Sequence, residues 1–208
     1  MASNWDDLNA RGISAIVMVI VGAFDVYMGG IWFHFLVMFA TGVMIWELWS
    51  MIAPSRTTGA MLMAVATVAI LSVQIEEQNE ILPFLFLIIP AIGAVLLKKL
   101  RIAFFFYALA IIVAGFALVM FRDQFGALWI VWLLLVVIAS DVLGYFAGRT
   151  FGGPKFWPAI SPKKTWSGTV AGWIGAGIVG LVFALFTEAS MILVPLSMLL
   201  SFAGQLGD

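Results

Sequence analysis

The chain has 208 residues, of which 64% are hydrophobic and 10% charged, and its mean hydropathy is +1.14. This composition excludes an ordinary soluble domain and indicates a protein that lies mostly within a membrane. The absence of cysteine excludes disulfides, zinc–thiolate sites and cysteine nucleophiles, and the formal net charge of −1 gives no basis for a nucleic acid polymer as a partner.

Apolar runs follow one another along the chain, each long enough to cross roughly 30 Å of hydrocarbon as a helix. Because these runs are continuous and do not alternate with polar residues, they predict helices rather than a β-barrel. The pattern therefore predicts an all-α, polytopic integral membrane protein with about eight transmembrane helices in a single membrane domain, residues 1–208. The predicted spans are 13–29, 31–50, 59–75, 82–97, 102–121, 127–147, 168–186 and 190–206.

The basic residues are distributed unevenly between the two sides of the predicted membrane. With the N-terminus in the cytoplasm, nine of the ten basic residues fall inside and only Arg122 falls outside. This asymmetry predicts a cytoplasmic N-terminus. It also places the polar segment 148–167 in the cytoplasm, as a loop of about twenty residues, a length that is usually functional.

A polar, glycine-rich segment begins at Asp141, near the cytoplasmic end of the sixth predicted span. Gly144, Tyr145 and Gly148 follow at offsets of three, four and seven residues, so all share the helical face of Asp141. A carboxylate at the edge of hydrocarbon is expensive and indicates either a functional site or an ion pair, here with Arg149.

Four basic residues stand in this segment: Arg149, Lys155, Lys163 and Lys164. They are compatible with two interpretations, anchors on anionic lipid or a phosphate site. The surrounding residue types favour the phosphate site, for the reasons that follow.

Several residues around the paired lysines suit an anion site. Ser161 and Pro162 predict an extended turn, and Thr165 or Ser167 can cap the helix that follows. The free N–H groups at a helix N-terminus attract anions, and Gly152 would let backbone approach a phosphate closely. The segment therefore predicts a site for phosphate groups.

Small residues recur every four positions in the seventh predicted span, at Gly168, Gly172, Ala176 and Gly180. This spacing predicts close packing against a neighbouring helix. Such packing would hold the preceding lysine-bearing segment in place.

The chain ends at Asp208, which the predicted topology returns to the cytoplasmic side. A carboxylate there, beside Asp141 and the lysines, would suit Mg²⁺ bound to a phosphate-bearing substrate. The alternative is a frayed terminus.

At these residues the chain resembles the phosphatidate cytidylyltransferase (CDP-diacylglycerol synthase) family. The matching stretches are SDVLGYFAGRTFGG at 140–153, KFWPAISPKKTWSG at 155–168 and AGQLGD at 203–208, and IWELWS at 45–50 looks like the family's opening. The resemblance covers almost the whole chain. It implies transfer of CMP from CTP to phosphatidate, which gives CDP-diacylglycerol and pyrophosphate, in the inner membrane of a bacterium with the active site facing the cytoplasm.

The residue chemistry and the resemblance together imply a set of site residues. Metal binding is assigned to Asp208 and Asp141, with Mg²⁺ as the cofactor and a second metal ion left open, and a homodimer is also left open. The candidate catalytic residues are Asp141, Lys163, Lys164 and Asp208. The candidate phosphate-binding residues are Tyr145, Gly148, Arg149, Gly152, Ser161, Pro162, Thr165 and Gly168.

The resemblance has one large departure. In the family, the Gly-Asp pair that ends this sequence opens a signature region with further metal carboxylates, and none of that region is present here. Residues 1–140 are then N-terminal helices, and 141–208 are the truncated start of the catalytic portion. The resemblance thus implies the activity for a full-length parent protein, and we expect no activity from these 208 residues alone.

Two rival interpretations remain open at this point. One is a transporter or flippase for an anionic substrate, with Asp25, Glu47 and Asp141 along the pathway, which would predict internal repeats that the sequence does not show convincingly. The other is an inactive fragment that keeps the fold of the enzyme.

Overall fold

The computed structural model describes residues 17–77, 82–158, 161–187 and 189–207. Within these residues the protein is α-helical apart from one short β-hairpin and a 3₁₀ segment, so the predicted all-α class is confirmed. The elements are α1 Val17–Met28, α2 Gly30–Ile52, α3 Thr57–Glu77, the 3₁₀ segment Leu82–Leu87, α4 Ile88–Leu96, α5 Arg101–Phe125, α6 Ala127–Phe151, β1 Lys155–Trp157, β2 Ser161–Thr165, α7 Trp166–Phe186 and α8 Leu193–Gly207.

A helix lies within each predicted span where the structure describes it; residues 13–16 of the first span lie outside the described residues, and the fourth span is divided between the 3₁₀ segment and α4. Among the described residues, five helices (α2, α3, α5, α6 and α7) are long and apolar enough to cross a membrane. At a rise of 1.5 Å per residue, the 21 residues of α7 measure about 31 Å and the 15 of α8 only about 22 Å. Length and composition thus support a membrane protein, and the count of eight crossings stays a prediction.

The packing divides the chain into two compact units, one that ends at Ala127 and one that begins at Leu128. The core of the first unit surrounds Trp49, which contacts the ring of Phe104 edge to face with centroids 5.7 Å apart. The indole N–H of Trp49 donates to the carbonyl of Arg56 at 3.2 Å. The buried indole therefore has a hydrogen-bond partner, as a polar group in such a core requires.

Polar side chains also join elements of the first unit. The Arg122 guanidinium donates to the carbonyl of Val26 from Nε at 3.2 Å and from Nη2 at 3.0 Å. His34 Nε2 lies 2.8 Å from Asp123 Oδ2. The Arg122 contact satisfies a carbonyl in the last turn of α1, which has no partner within its own helix.

The segment 148–167, predicted as a loop, is not a loop. α6 continues to Phe151, and the chain then forms an antiparallel hairpin in which β1 pairs with β2. Lys155 lies opposite Thr165 in this hairpin. The prediction was wrong because two strands of three and five residues leave little periodic signal in the sequence.

Two contacts attach the hairpin to the start of α7. The Trp166 N–H donates to the carbonyl of Pro154 at 3.1 Å, and the ring of Trp166 meets that of Phe156 with centroids 4.8 Å apart. The hairpin therefore leads directly into α7 without a flexible connection.

The small residues of α7 pack closely, as predicted, and all four of the series are buried. A Cβ built on Gly168 would lie 2.6 Å from the carbonyl oxygen of Gly144 in α6. A Cβ built on Gly180 would lie 2.6 Å from the carbonyl oxygen of Leu193 in α8. Glycine lets the backbone of α7 approach both helices, because any side chain would meet backbone atoms.

This packing predicts that Gly180→Ala destabilises the protein by about 1–3 kcal/mol, because the added methyl group must displace the backbone of α8. The measurement is the thermal unfolding of the purified protein in detergent, followed by tryptophan fluorescence. Gly204→Ala is the matched control, since nothing lies within 4 Å of a Cβ at that position. Equal unfolding temperatures for the two variants would contradict the close approach of α7 and α8.

Candidate active site

The second unit contains a pocket of about 430 Å³. It lies where the last turns of α6, strand β2, the first turn of α7 and the end of α8 meet. Its lining residues are Ser140, Asp141, Gly144, Tyr145, Gly148, Arg149, Ser161, Lys163, Lys164, Thr165, Gly168 and Gln205.

The pocket brings together most of the residues predicted from the sequence. The predicted residues that line it are Asp141, Tyr145, Gly148, Arg149, Ser161, Lys163, Lys164, Thr165 and Gly168. Of the others, Gly152 does not line it, and the side chain of Pro162 and the whole of Asp208 lie outside what the structure describes. The chemical roles given to these residues stay predictions.

The α6 wall of the pocket follows the predicted helical face. Asp141 lines this wall, and Tyr145 and Gly148, four and seven residues after it, line the wall as well. Arg149, one turn beyond Tyr145, donates from Nη1 to the Tyr145 hydroxyl at 2.8 Å. One helical face thus presents a carboxylate, a phenol and a guanidinium.

The paired lysines of β2 lie in different environments. Lys163 is exposed, whereas Lys164 is half-buried and donates from Nζ to the backbone carbonyl of Gln205 at 2.5 Å. Carbonyls in the last turn of a helix lack intrahelical partners and carry negative potential, so the end of α8 stabilises this ammonium group.

Thr165 caps α7 and is one of the two caps that the sequence allowed. Its Oγ1 accepts the Gly168 N–H at 3.3 Å, and it lies 3.1 Å from the Ser167 hydroxyl. Gly148 lies against the same Oγ1, which a Cβ at that glycine would approach to 2.9 Å. The first turn of α7 therefore begins at the pocket, where the positive end of the helix dipole favours an anion.

Gly152 and Gly153 turn the chain out of α6 and into the hairpin. Their φ angles of 60° and 100° lie in the left-handed region that glycine adopts without strain. The Ser167 hydroxyl donates to the carbonyl of Gly152 at 2.5 Å. Gly152 thus has a structural part in the turn, and its contact with phosphate stays a prediction.

Three lining residues were not among the predicted site residues: Gly144, which was predicted only to share the face of Asp141, and the polar residues Ser140 and Gln205. The Gln205 amide donates from Nε2 to the Ser140 hydroxyl and to the carbonyl of Thr169, both at 3.4 Å. The Ser140 hydroxyl in turn lies 2.6 Å from that of Ser201. Polar residues recur every four positions in the apolar helix α8, at Ser197, Ser201 and Gln205. This spacing is the signal in the sequence that could have predicted a polar, buried stripe.

The charges that line the pocket are three cations against one carboxylate, Asp141. In the described part of the chain, no group of three or more His, Asp or Glu side chains lies close enough to hold a metal by itself. Mg²⁺ is commonly bound by one or two carboxylates together with substrate phosphates, so a single carboxylate beside a phosphate site is compatible with it.

The fold and the pocket together define a helical membrane protein with a cation-lined pocket. The cytidylyltransferase family profile matches residues 9–208 of this chain. Because that match covers almost the entire sequence, the chain belongs to the cytidylyltransferase family.

Curated relatives share this membership. The phosphatidate cytidylyltransferase of Brucella abortus biovar 1 is 29% identical over 215 aligned positions, which cover 97% of this chain and 77% of that protein. The phosphatidate cytidylyltransferase of Staphylococcus saprophyticus is 38% identical over 109 positions, which cover 51% of this chain and 42% of the relative. The phosphatidate cytidylyltransferase of Bacillus subtilis is 35% identical over 89 positions, which cover 41% of this chain and 33% of that protein. No solved structure matches the chain significantly.

Proposed function

We propose that this protein is an enzyme that transfers CMP from CTP to phosphatidate, which gives CDP-diacylglycerol and pyrophosphate. The observation that carries this proposal is the single pocket that unites Asp141, Arg149, Lys163 and Lys164 in a member of the cytidylyltransferase family. Relatives named for this activity align with nearly the whole chain.

The reaction joins two polyanions, which explains the charge of the pocket. A phosphate oxygen of phosphatidate attacks the α-phosphorus of CTP, and a new phosphorus–oxygen bond forms. The bond between the α-phosphorus and the bridging oxygen breaks, and pyrophosphate leaves with that electron pair. The attacking oxygen is already ionised, so this step needs positive charge far more than it needs a proton acceptor.

Each group of the pocket has a task in this proposal. Lys163, Lys164 and Arg149 contact phosphate oxygens and offset the repulsion between the substrates. Thr165 and Gly168 fix the first turn of α7, whose positive dipole end lies beside the phosphates. Ser161 lines the β2 wall of the same pocket.

Mg²⁺ is the proposed cofactor. Asp141 would hold it, together with Asp208, which adjoins the end of α8 in the sequence. When bound, the ion would neutralise charge on the phosphates of CTP. The protein's own contribution is to place the carboxylate on the same helical face as Tyr145 and Arg149.

We also propose eight membrane crossings, a cytoplasmic N-terminus and an active site that faces the cytoplasm of a bacterial cell. Support comes from five helices of sufficient length, from the shorter apolar helices before, between and after them, and from the unequal distribution of basic residues. This arrangement gives the pocket access to CTP in the cytoplasm and to lipid in the inner leaflet.

The test is conversion of radiolabelled CTP and phosphatidate to CDP-diacylglycerol by the purified full-length protein in mixed micelles containing Mg²⁺. We expect product with phosphatidate as acceptor and none with diacylglycerol, because the neutral lipid lacks the attacking phosphate. Anion flux into vesicles without turnover would favour a transporter and overturn the proposal.

A further inference from the structure

The α6 wall of the pocket carries an arginine–tyrosine pair, whereas the two lysines lie on β2. Arg149 and Tyr145 are both exposed, and Arg149 donates to the Tyr145 hydroxyl at 2.8 Å. Lys164, in contrast, is half-buried and held by the end of α8. Lys163 is exposed as well, so the pocket presents its cations on two walls, Arg149 on α6 and the lysine pair on β2.

The pair continues the exposed apolar face of α6. Leu134, Ile138 and Val142 are 47%, 54% and 46% exposed. Counted from Leu134, the offsets of Ile138, Val142, Tyr145 and Arg149 are four, eight, eleven and fifteen residues. These offsets fall on one side of a helix with 3.6 residues per turn. In a membrane this side faces lipid, so the lipid-facing surface of α6 leads into the pocket at Tyr145 and Arg149.

The hydrogen bond within the pair leaves donors for a ligand. A guanidinium has five N–H donors, of which Nη1 supplies the one bonded to Tyr145. Because the Tyr145 oxygen accepts that bond, its own hydrogen is available to a second acceptor. A terminal phosphate, with three oxygens and two negative charges, matches this set of donors better than a phosphodiester does.

We infer that Tyr145 and Arg149 form the subsite for the lipid phosphate, and that they select a phosphate monoester attached to acyl chains. This inference rests on the proposed function and assigns one substrate of that reaction to one part of the pocket. A lipid keeps its acyl chains in hydrocarbon, so its phosphate reaches the pocket from the lipid-facing side of α6. CTP also ends in a terminal phosphate but approaches from water, towards the lysines of β2.

The kinetic test compares Arg149→Lys and Tyr145→Phe with the wild type in the full-length protein. We expect the KM for phosphatidate to rise about tenfold or more in Arg149→Lys, because lysine cannot form the bidentate contact, and the KM for CTP to stay within about twofold. Arg101→Lys and Tyr107→Phe are matched controls, since both residues are exposed and lie outside the pocket. A rise in the KM for CTP of equal or greater size would overturn the inference.

A binding test separates this inference from the proposed reaction. Dioctanoyl phosphatidate or dioctanoyl phosphatidylglycerol is titrated without CTP, and tryptophan fluorescence reports binding, with Trp166 at the start of α7 close to the pocket. We expect the wild type to prefer phosphatidate and Arg149→Lys to lose that preference. If the wild type shows this pattern but forms no CDP-diacylglycerol, the proposed function fails and the subsite stands. An unchanged preference in Arg149→Lys overturns the subsite whatever the turnover.

Discussion

Lys164→Ala is expected to lower kcat/KM for CMP transfer by about 10²–10³-fold, the usual effect of removing one preorganised donor from a site of developing negative charge. Lys164 lines the pocket and is half-buried, and its ammonium group is positioned by the Gln205 carbonyl. A positioned cation is not replaced by water or by the exposed neighbour Lys163. The measurement is the rate of CDP-diacylglycerol formation over a range of CTP concentrations.

Lys99→Ala serves as the control for this variant. Lys99 is exposed and lies outside the pocket, so its removal changes charge without touching the site. We expect turnover within about twofold of the wild type. Normal turnover in Lys164→Ala would show that Lys164 does not contribute to the reaction.

Asp141→Asn is the second variant with a large expected effect. The amide keeps the size of the side chain but loses the negative charge that binds a hard cation. We expect the Mg²⁺ concentration for half-maximal activity to rise by about 10–100-fold, with a fall in kcat/KM at fixed Mg²⁺. Direct binding of Mn²⁺ in place of Mg²⁺, followed by electron paramagnetic resonance, gives a readout that does not depend on turnover.

The matched control is Asp123→Asn in the first unit. Asp123 lies 2.8 Å from His34, outside the pocket, and asparagine can keep that hydrogen bond. We expect an unchanged dependence on Mg²⁺. An Asp141→Asn protein with wild-type Mg²⁺ dependence and Mn²⁺ affinity would show that Asp141 does not hold the metal.

Much of the site follows from local spacing. Asp141, Tyr145 and Gly148 share a helical face because their offsets match the helical period, and the structure places all three on one pocket wall. Thr165 is a cap because a hydroxyl residue ahead of an apolar run satisfies free N–H groups. Such features depend on a few neighbouring residues and can therefore be predicted from the sequence without knowledge of the tertiary structure.

Other parts of the site depend on residues that are distant in sequence. Gln205 is 41 residues from Lys164, and nothing near either residue indicates that a backbone carbonyl of one meets the ammonium group of the other. The hairpin of β1 and β2 was also missed, because its pairing partners are short and carry no alternating pattern. Arg122, which appeared as an isolated charge on the outer side, binds the carbonyl of Val26, 96 residues away.

The sequence alone determined the helical class, the position of the apolar runs and the common face of the α6 residues, because each follows from hydrophobicity or from helical period within a few turns. Only the tertiary structure decided that the end of α8 holds Lys164 and that α6 and α7 approach through Gly144 and Gly168. Helix periodicity indicates which face is buried but not which helix covers it. The contacts that close the pocket depend on which helices pack together, and the packing of the whole unit decides that.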